Sequence, residues 1–215
     1  MCGYRNRFPL IPSPGIDYLI QIHQNQKREY QEAEIKSTAD VSNHELNEKA
    51  PETRIRFLQS KYGVCLEIGC ESGWFIDAML SAGKILKGYG IDIRRNEFKI
   101  PSSANKYLLN ASADALPFKK MKFDLIVAFH VIEHITQMEV MRKELARVAN
   151  GETHVLVALP LGYDDDPCHR WHFMTSGGWE RFLNKKLGLD LVTGGVFKTN
   201  ITEYIGLFSL NGKLP

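Results

Sequence analysis

From Val64 onward, apolar runs alternate with amphipathic segments, a pattern typical of strands and helices in turn. The predicted strands are 64–68, 85–91, 106–109, 125–129, 155–159, 189–197 and 204–210. The run 125–129 is apolar throughout, as expected for a central parallel strand covered on both faces. The last two runs leave no room for a helix between them, so we expect them to pair antiparallel. The pattern predicts an α/β fold with a doubly wound, mostly parallel sheet.

The helices between these strands are predicted from their start and stop signals. They are a helix from Pro51 that ends at Gly63, a helix from Trp74 to Ala82 stopped by Gly83, a helix opened by a capping box at Thr136–Glu139 and ended by Asn150-Gly151, and a helix from about Ser176 to Lys186 capped by Thr175 or Ser176. Each lies between two predicted strands or just before the first.

Residues 1–50 have a different pattern and are predicted to form a helical extension to the main domain at 51–215. Three prolines make the start of this segment irregular, and helical spacing of apolar residues begins after them. Two interpretations stay open. The extension is a flap that completes the surface of the core, or it is a lid over an acceptor pocket, with Tyr4, Phe8 or Tyr18 in the lining.

A ligand site is predicted where the strand 64–68 ends. The strand runs into a turn that contains Gly69 and Gly73 and then into a helix, so a ligand can approach the backbone and the first helical N–H groups point at it. The second strand is followed by Asp92, 23 positions after Gly69. A carboxylate at the tip of that strand is placed to accept hydrogen bonds from both hydroxyls of a ribose.

The ligand is predicted to be a nucleoside without a pyrophosphate. Glu71 stands where the dinucleotide pattern G-x-G-x-x-G has its second glycine. A carboxylate there would face the pyrophosphate, and this like-charge contact is costly in a desolvated pocket. S-adenosylmethionine has no phosphate and carries a cationic sulfonium and an ammonium, so the objection does not apply to it.

Composition and charge narrow the class of protein. The 215 residues have a formal net charge of +2, with basic and acidic residues interspersed, which argues against nucleic acid as a partner. No apolar run reaches 18 residues, so no membrane span is predicted. The cysteines form no C-x-x-C pair, which predicts reduced thiols in a cytoplasmic protein, with neither a disulfide framework nor a zinc site. They are Cys2, Cys65, Cys70 and Cys168.

Taken together, these features resemble the class I S-adenosylmethionine-dependent methyltransferases, whose first motif is E/D-x-G-x-G-x-G. Glu67, Gly69 and Gly73 match this motif, and Glu71 replaces its middle glycine. The resemblance implies S-adenosylmethionine as cofactor and a seven-stranded, Rossmann-like sheet whose last strand is antiparallel. The cofactor-binding residues predicted in the first two loops are Glu67, Gly69, Cys70, Glu71, Gly73, Asp92 and Ile93.

A second group of motifs is similar to the small-molecule, methyltransferase type 11-like branch of this family. It consists of Asn110–Phe118, which contains Leu-Pro-Phe, then Phe123-Asp124 with the fourth strand, and then His130–His134. The resemblance implies that Ser112 and Ala113 hold the adenine. It also implies that the backbone of Phe129 and His130 meets the methionine ammonium. The motifs cover about residues 60–160 and follow the carboxyl ends of strands, where open α/β sheets bind ligands.

Histidines are the predicted general bases, which are needed only for a hydroxyl or a protonated amine acceptor. His134 follows the fourth strand, and His169 and His172 lie in the loop after the fifth. A structural role at the next helix is the alternative for His134, and a plain surface loop is the alternative for the other two. No metal site is predicted, because the loop histidines lack a second cluster of ligands and do not share a helical face.

We therefore predict an enzyme that transfers a methyl group by in-line displacement to an oxygen or nitrogen of a small metabolite. One alternative is an RNA or protein methyltransferase that grips its substrate with the N-terminal segment and scattered basic residues. Another is a cofactor-binding protein without turnover, which Glu71 and Ser112 suggest because both depart from the family pattern. The fourth strand is not followed by N/D-P-P-Y, which argues against methylation of exocyclic amines in nucleic acids.

Overall fold

The computed structural model describes residues 51–94, 105–119, 123–163, 166–198 and 201–210, so the extension predicted for 1–50 lies outside the described residues. In chain order, the elements are α1 (Pro51–Ile55), β1 (Tyr62–Ile68), α2 (Trp74–Ser81), β2 (Ile85–Asp92), β3 (Lys106–Asn110), β4 (Phe123–Phe129), a 3₁₀ turn (Ile132–His134), α3 (Met138–Val148), β5 (Ala149–Pro160), α4 (Ser176–Leu187), β6 (Leu189–Lys198) and β7 (Thr202–Leu210). All seven predicted strands are present at the predicted places.

The strands form one sheet with the order β3-β2-β1-β4-β5-β7-β6. Strands β1 to β5 pair in parallel, whereas β7 is antiparallel to both β5 and β6. The prediction of a doubly wound, mostly parallel seven-stranded sheet with an antiparallel last strand is confirmed. The strand order reverses between β1 and β4, and the carboxyl ends of the strands beside such a point are where open α/β sheets bind ligands.

Strand β4 is buried on both faces of the sheet, which explains its unbroken apolar sequence. Leu125 and Val127 belong to the core cluster that contains α2, whereas Ile126 and Ala128 belong to the cluster that contains α3 and α4. A register slip would expose one of these sets, so burial on both faces fixes the strand. The residues that follow β4 therefore leave the sheet at a defined point.

Gly63 has a different role from the one predicted. Helix α1 ends at Ile55, and Gly63, which was expected to stop that helix, lies within β1. A Cβ added to it would lie 2.7 Å from Oδ2 of Asp124 on β4. That oxygen accepts a hydrogen bond from the Val64 N–H at 2.7 Å. The glycine therefore makes room for Asp124 and does not end a helix.

Helix α3 ends at Val148, as predicted, but the signals predicted to start and stop it are wrong. Its N-cap is Gln137, which makes no capping hydrogen bond through its side chain, so Thr136 does not open a capping box. Ala149 already has extended backbone and begins β5, which means that Asn150-Gly151 belongs to the strand. The hydroxyl of Thr153 accepts a hydrogen bond from the Asn150 N–H at 2.8 Å. This bond holds the helix-to-strand junction without a left-handed glycine.

The cysteines match the prediction in part. Cys65 and Cys70 are buried free thiols, and burial raises the pKa of both. Cys168 is disulfide-bonded, so the expectation of reduced thiols is wrong at this position. The cytoplasmic location stays a prediction. Of the helices in the described part of the chain, none has both the length and the apolar character needed to cross a bilayer.

Candidate functional site

The turn after β1 is held against the end of β2. The N–H groups of Gly69 and Cys70 both donate to the carbonyl oxygen of Ile91, at 2.8 and 3.0 Å. Gly69 has a φ of +73°, and a Cβ added to it would lie 2.5 Å from Cγ2 of Val131 in the loop after β4. Glycine therefore meets both the backbone and the steric demand of this position.

Glu71 has left-handed backbone in the same turn, with a φ of +47°. Few residues other than glycine adopt this conformation, which explains why the family motif has glycine here. The side chain of Glu71 is half-exposed, with Oε1 3.6 Å from Nη2 of Arg94. Gly73, with a φ of +73°, is the N-cap of α2. The glutamate thus keeps the shape of the turn and places its carboxylate at the surface.

Asp92 lies at the end of β2 with only 4% of its side chain exposed, and its carboxylate contacts the turn. One oxygen accepts from the Glu71 N–H at 3.1 Å and the other from the Arg94 N–H at 2.9 Å. A carboxylate offers about four lone-pair positions, so capacity remains for the hydroxyls of a ribose. Ile93, the next predicted residue, is exposed.

Asn110 was not among the predicted site residues. It ends β3 and donates through Nδ2 to the carbonyl oxygen of Asp92 at 2.8 Å. The Ala111 N–H donates to the same carbonyl oxygen at 3.0 Å. A polar side chain at the end of an otherwise apolar run was the available signal. This residue ties the third strand to the end of the second.

Glu67 is the second-last residue of β1 and is 3% exposed. The Ile76 N–H of α2 donates to its carboxyl group, whereas Oε2 has no hydrogen-bond partner among the described residues. Burial, with neighbouring acidic groups, raises the pKa of Glu67 to about 8. A buried acceptor without a partner is costly, so this carboxyl group suits a cationic donor.

Ser112 and Ala113 lie in the turn after β3. Ser112 forms a single β-bridge with Ala115, whose N–H donates to the Ser112 carbonyl oxygen at 3.1 Å. The Leu116 N–H donates to Oε2 of Glu144 at 2.7 Å, which fastens this loop to α3. Because β1, β2 and β3 are parallel, the loop lies on the same edge of the sheet as the Gly69 turn.

A buried ionic network lies at the end of β4. His130, with a φ of +52°, has Nε2 3.0 Å from Oε2 of Glu203 and Nδ1 3.3 Å from Oε1 of Glu133. Arg54 donates from Nη2 to Glu203 at 3.1 Å, and its guanidinium carbon lies 4.8 Å from the centre of the Phe129 ring. Burial lowers the pKa of His130, but contacts with the two carboxylates outweigh burial and raise it to about 9. His130 is therefore protonated at neutral pH.

The three histidines predicted as general bases lie close together. The ring centres of His134 and His169 are 4.6 Å apart, and those of His169 and His172 are 5.9 Å apart. The ring of Tyr163 lies 5.0 Å from that of His172. The cluster joins the 3₁₀ turn after β4 to the loop after β5, at the carboxyl edge that also holds the Gly69 turn.

A cavity of about 330 Å³ lies at the start of α4. It is lined by Phe173, Met174, Thr175, Gly178, Arg181, Phe182 and Lys185. None of the predicted site residues lines it, so this cavity is distinct from the cofactor loops and the histidine cluster.

Comparison with known proteins decides the family. Residues 42–187, more than half of the chain, match the family model described as "Methyltransferase domain". The chain belongs to this methyltransferase family. It is an S-adenosylmethionine-dependent methyltransferase and uses S-adenosylmethionine as its cofactor. No curated protein matches this methyltransferase in sequence.

Solved structures share the fold at low sequence identity. One is the 1,6-didemethyltoxoflavin-N1-methyltransferase of Burkholderia thailandensis with bound 1,6-didemethyltoxoflavin and S-adenosylhomocysteine, 10% identical, with a TM-score of 0.60 over 95% of this chain and 93% of that one. Another is the N-methyltransferase NodS of Bradyrhizobium japonicum WM9 with S-adenosylhomocysteine, 16% identical, with a TM-score of 0.55 over 87% and 97%. A chain from a Haloferax volcanii complex of the Trm112 methyltransferase activator with a methyltransferase is 12% identical, with a TM-score of 0.59 over 74% and 88%.

The residues at the carboxyl edge fit this cofactor. Oε2 of Glu67 is buried and has no partner among the residues that the structure describes, and a bound ammonium would stabilise the ionised form of this carboxyl group and donate to it. Because Gly69 has no Cβ, the turn after β1 can lie close to Val131 in the loop after β4. The Asp92 carboxylate can accept further hydrogen bonds besides those from the Glu71 and Arg94 N–H groups. The methyltransferase therefore has a cation acceptor and a hydroxyl acceptor on neighbouring strands, as a cationic nucleoside requires.

Proposed function

We propose that this methyltransferase modifies an oxygen or nitrogen atom of a small metabolite. The histidine cluster of His134, His169 and His172 beside the cofactor loops carries the proposal. The Gly69 turn approaches Val131 in the same loop that leads to His134. An acceptor placed at the cluster would therefore lie beside the cofactor.

The chemistry asked of the protein is limited. S-adenosylmethionine supplies an activated methyl group when bound, so the chain must orient the acceptor, exclude water and receive its proton. Any of the three imidazoles could receive that proton, whereas His130 is already protonated at neutral pH. The residues proposed to hold the cofactor are Glu67, Gly69, Cys70, Glu71, Gly73, Asp92, Ile93, Ser112, Ala113, Phe129 and His130.

Two further observations support a small acceptor. The net charge is only +2 over the whole chain, which is weak attraction for a polyanion. One structural neighbour of similar length is named for methylating 1,6-didemethyltoxoflavin and was solved with that molecule bound. We propose that the partner of this chain is likewise a small molecule and that nucleic acid is not its substrate.

The experiment that tests this function has two stages. Calorimetry with S-adenosylmethionine should show binding, and lack of binding at millimolar ligand would count against the enzyme itself. Next, the chain is incubated with S-adenosylmethionine and a fractionated metabolite extract, and released S-adenosylhomocysteine is measured. We expect release that falls about 100-fold in His172→Ala, at an unchanged unfolding temperature.

Other outcomes would favour the alternative functions. If S-adenosylhomocysteine is released only when RNA is present, and the rate falls steeply with salt, the chain is a nucleic-acid methyltransferase. Release that requires protein fractions would indicate a protein methyltransferase. Cofactor binding without release in any fraction would indicate a binding protein without turnover.

A further inference from the structure

We propose that Glu133, His134 and His169 form a binding site for one divalent transition-metal cation of the zinc type. One ligand atom from each side chain lies within 4.8 Å of the others. Glu133 and His134 belong to the 3₁₀ turn after β4, and His169 belongs to the loop after β5. The site therefore lies at the carboxyl edge of two neighbouring parallel strands.

Glu133 is the strongest evidence for a bound cation. Its side chain is fully buried, at 0% exposure, and neither carboxylate oxygen has a hydrogen-bond partner among the described residues. Nδ1 of His130 approaches Oε1 at 3.3 Å, which leaves Oε2 for another positive charge. The ion pair with His130 offsets part of the cost of burying this carboxylate, and a cation at Oε2 would offset the rest.

His134 is oriented as metal-binding histidines usually are. Its Nδ1 lies 3.2 Å from the carbonyl oxygen of Cys168. Because a carbonyl oxygen only accepts, Nδ1 donates this bond, so in the neutral imidazole the lone pair that can bind a metal is on Nε2. Such a hydrogen bond from the second ring nitrogen fixes the tautomer and the direction of a metal-binding imidazole.

The loop that carries His169 is fastened to the 3₁₀ turn. The Arg170 N–H donates to the Glu133 carbonyl oxygen at 2.7 Å, and Nε1 of Trp171 donates to the Ile135 carbonyl oxygen at 2.7 Å. Ligands about 2.1 Å from an ion are about 3.4 Å apart in a tetrahedron. Side-chain shifts of roughly 1 Å would therefore bring the three ligand atoms together, and the backbone is already in place.

The donor set selects the class of cation. Two imidazoles and one carboxylate suit Zn²⁺ and related transition metals, whereas Mg²⁺ and Ca²⁺ prefer oxygen ligands throughout. Three protein ligands leave a coordination position open, which is typical of catalytic sites rather than structural ones. An oxygen of the methyl acceptor would suit that position. This last step rests on the proposed function, and it leaves His172 as the candidate general base.

The test is a titration of the full chain, produced without a histidine tag and stripped of metal with a chelator. Calorimetry with Zn²⁺ should show one ion per chain at micromolar or tighter affinity. Glu133→Gln and His169→Ala should each weaken binding at least 10-fold. The control is His154→Ala, because His154 lies on β5 with its ring 5.7 Å from that of Tyr62, and this variant should bind Zn²⁺ normally.

Two outcomes of the titration would overturn the site. One is an equal affinity for Zn²⁺ in Glu133→Gln, His169→Ala and His154→Ala, and the other is no binding at about 0.1 mM Zn²⁺. If the variants unfold, the unmodified chain loaded with Co²⁺ decides. A visible spectrum of nitrogen and oxygen ligation supports the site, and thiolate bands contradict it. The affinity of the metal-free chain for S-adenosylmethionine is measured separately by calorimetry. Cofactor binding without zinc binding would contradict the metal site and leave the proposed function standing.

Discussion

The two halves of the site are built in different ways. The cofactor half, after β1 and β2, is made of backbone hydrogen bonds and left-handed residues that lie within about 25 positions of one another, such as Gly69, Glu71 and Asp92. The half assigned to the acceptor, after β4 and β5, is made of side chains from distant parts of the chain. Arg54 and Glu203 form an ion pair beside His130 at the end of β4, and they are 149 positions apart in the chain. Local backbone geometry requires particular residues at fixed spacing, so it can be recognised as a sequence motif. Contacts between side chains far apart in the chain have no such spacing.

The largest effect is expected from Gly69→Ala in the cofactor half. The new Cβ would lie 2.5 Å from Cγ2 of Val131, at a φ of +73°. The turn must move to relieve this contact, and we expect affinity for S-adenosylmethionine to fall at least 100-fold, or about 3 kcal/mol. Calorimetry measures the affinity, and chemical denaturation measures the accompanying loss of stability.

The matched control for that change is Gly83→Ala. Gly83 has a similar φ of +63°, but a Cβ there meets no atom within 4 Å. It should lower the free energy of unfolding by about 1 kcal/mol and leave cofactor affinity unchanged. If both variants lose cofactor binding equally, the contact with Val131 is not what shapes the turn.

The next largest effect is expected from Arg54→Met, beneath the acceptor half. Arg54 and Glu203 form an ion pair at 3.1 Å with side chains only 6% and 4% exposed. Removing the guanidinium leaves the buried Glu203 carboxylate with His130, 3.0 Å away, as its remaining described ion-pair partner. The free energy of unfolding should therefore fall by about 3 kcal/mol, the lower end of the range for a broken buried pair. Chemical denaturation measures the loss. Arg54→Lys, which keeps a positive charge beside Glu203, should lose less stability, and an equal loss in Arg54→Lys and Arg54→Met would show that the charge pair is not the cause.

Glu67 should make stability depend on pH in the cofactor half. Burial raises its pKa from 4.5 to about 8 in the folded chain, so between these values the folded state holds the proton more tightly than the unfolded chain. The contribution of Glu67 to the free energy of unfolding is therefore fully present below pH 4.5 and is lost as pH rises through 8, by on the order of 2 kcal/mol between pH 6 and 8. Glu67→Gln should remove this part of the slope. Denaturation of both proteins without cofactor tests it, and equal slopes would contradict it.

The smallest effect is expected from Thr175→Ala, just beyond the histidine loop. The Thr175 hydroxyl caps α4 by accepting from the Gly178 N–H at 3.2 Å. Its loss should lower the unfolding free energy by about 1 kcal/mol without changing cofactor affinity. Thermal unfolding measures this, and Thr175→Ser should behave like the original protein. A loss of cofactor binding in Thr175→Ala would couple α4 to the site.

The strands could be predicted because apolar runs mark buried strands directly. Helix ends were harder to predict, and the signals at Thr136 and Asn150-Gly151 failed. At Asn150-Gly151 the sheet set the boundary, since β5 begins as soon as α3 ends. The prediction that Thr175 or Ser176 caps α4 is confirmed at Thr175, because an N-cap is a local interaction within one turn of helix.

In the site, the residues found from the sequence are those that follow strand ends. Gly69 and Asp92 are such residues, and they meet as predicted through the Glu71 N–H. Glu203 was missed because it lies just before the apolar run 204–210, and only the structure shows that β7 begins at Thr202 and includes it. Arg54 was missed because nothing in its short helix distinguishes it from a surface arginine.

By itself, the sequence determined the order of strands and helices and the glycine turn that faces Asp92. These features depend on residues close together in the chain, where steric and hydrogen-bonding rules act directly. Only the tertiary structure decided that Glu133 and His134 meet His169. The sequence shows the histidines of the loop after β5 by themselves, whereas the hydrogen bonds of Arg170 and Trp171 hold that loop against the 3₁₀ turn after β4, 30 to 40 positions earlier in the chain.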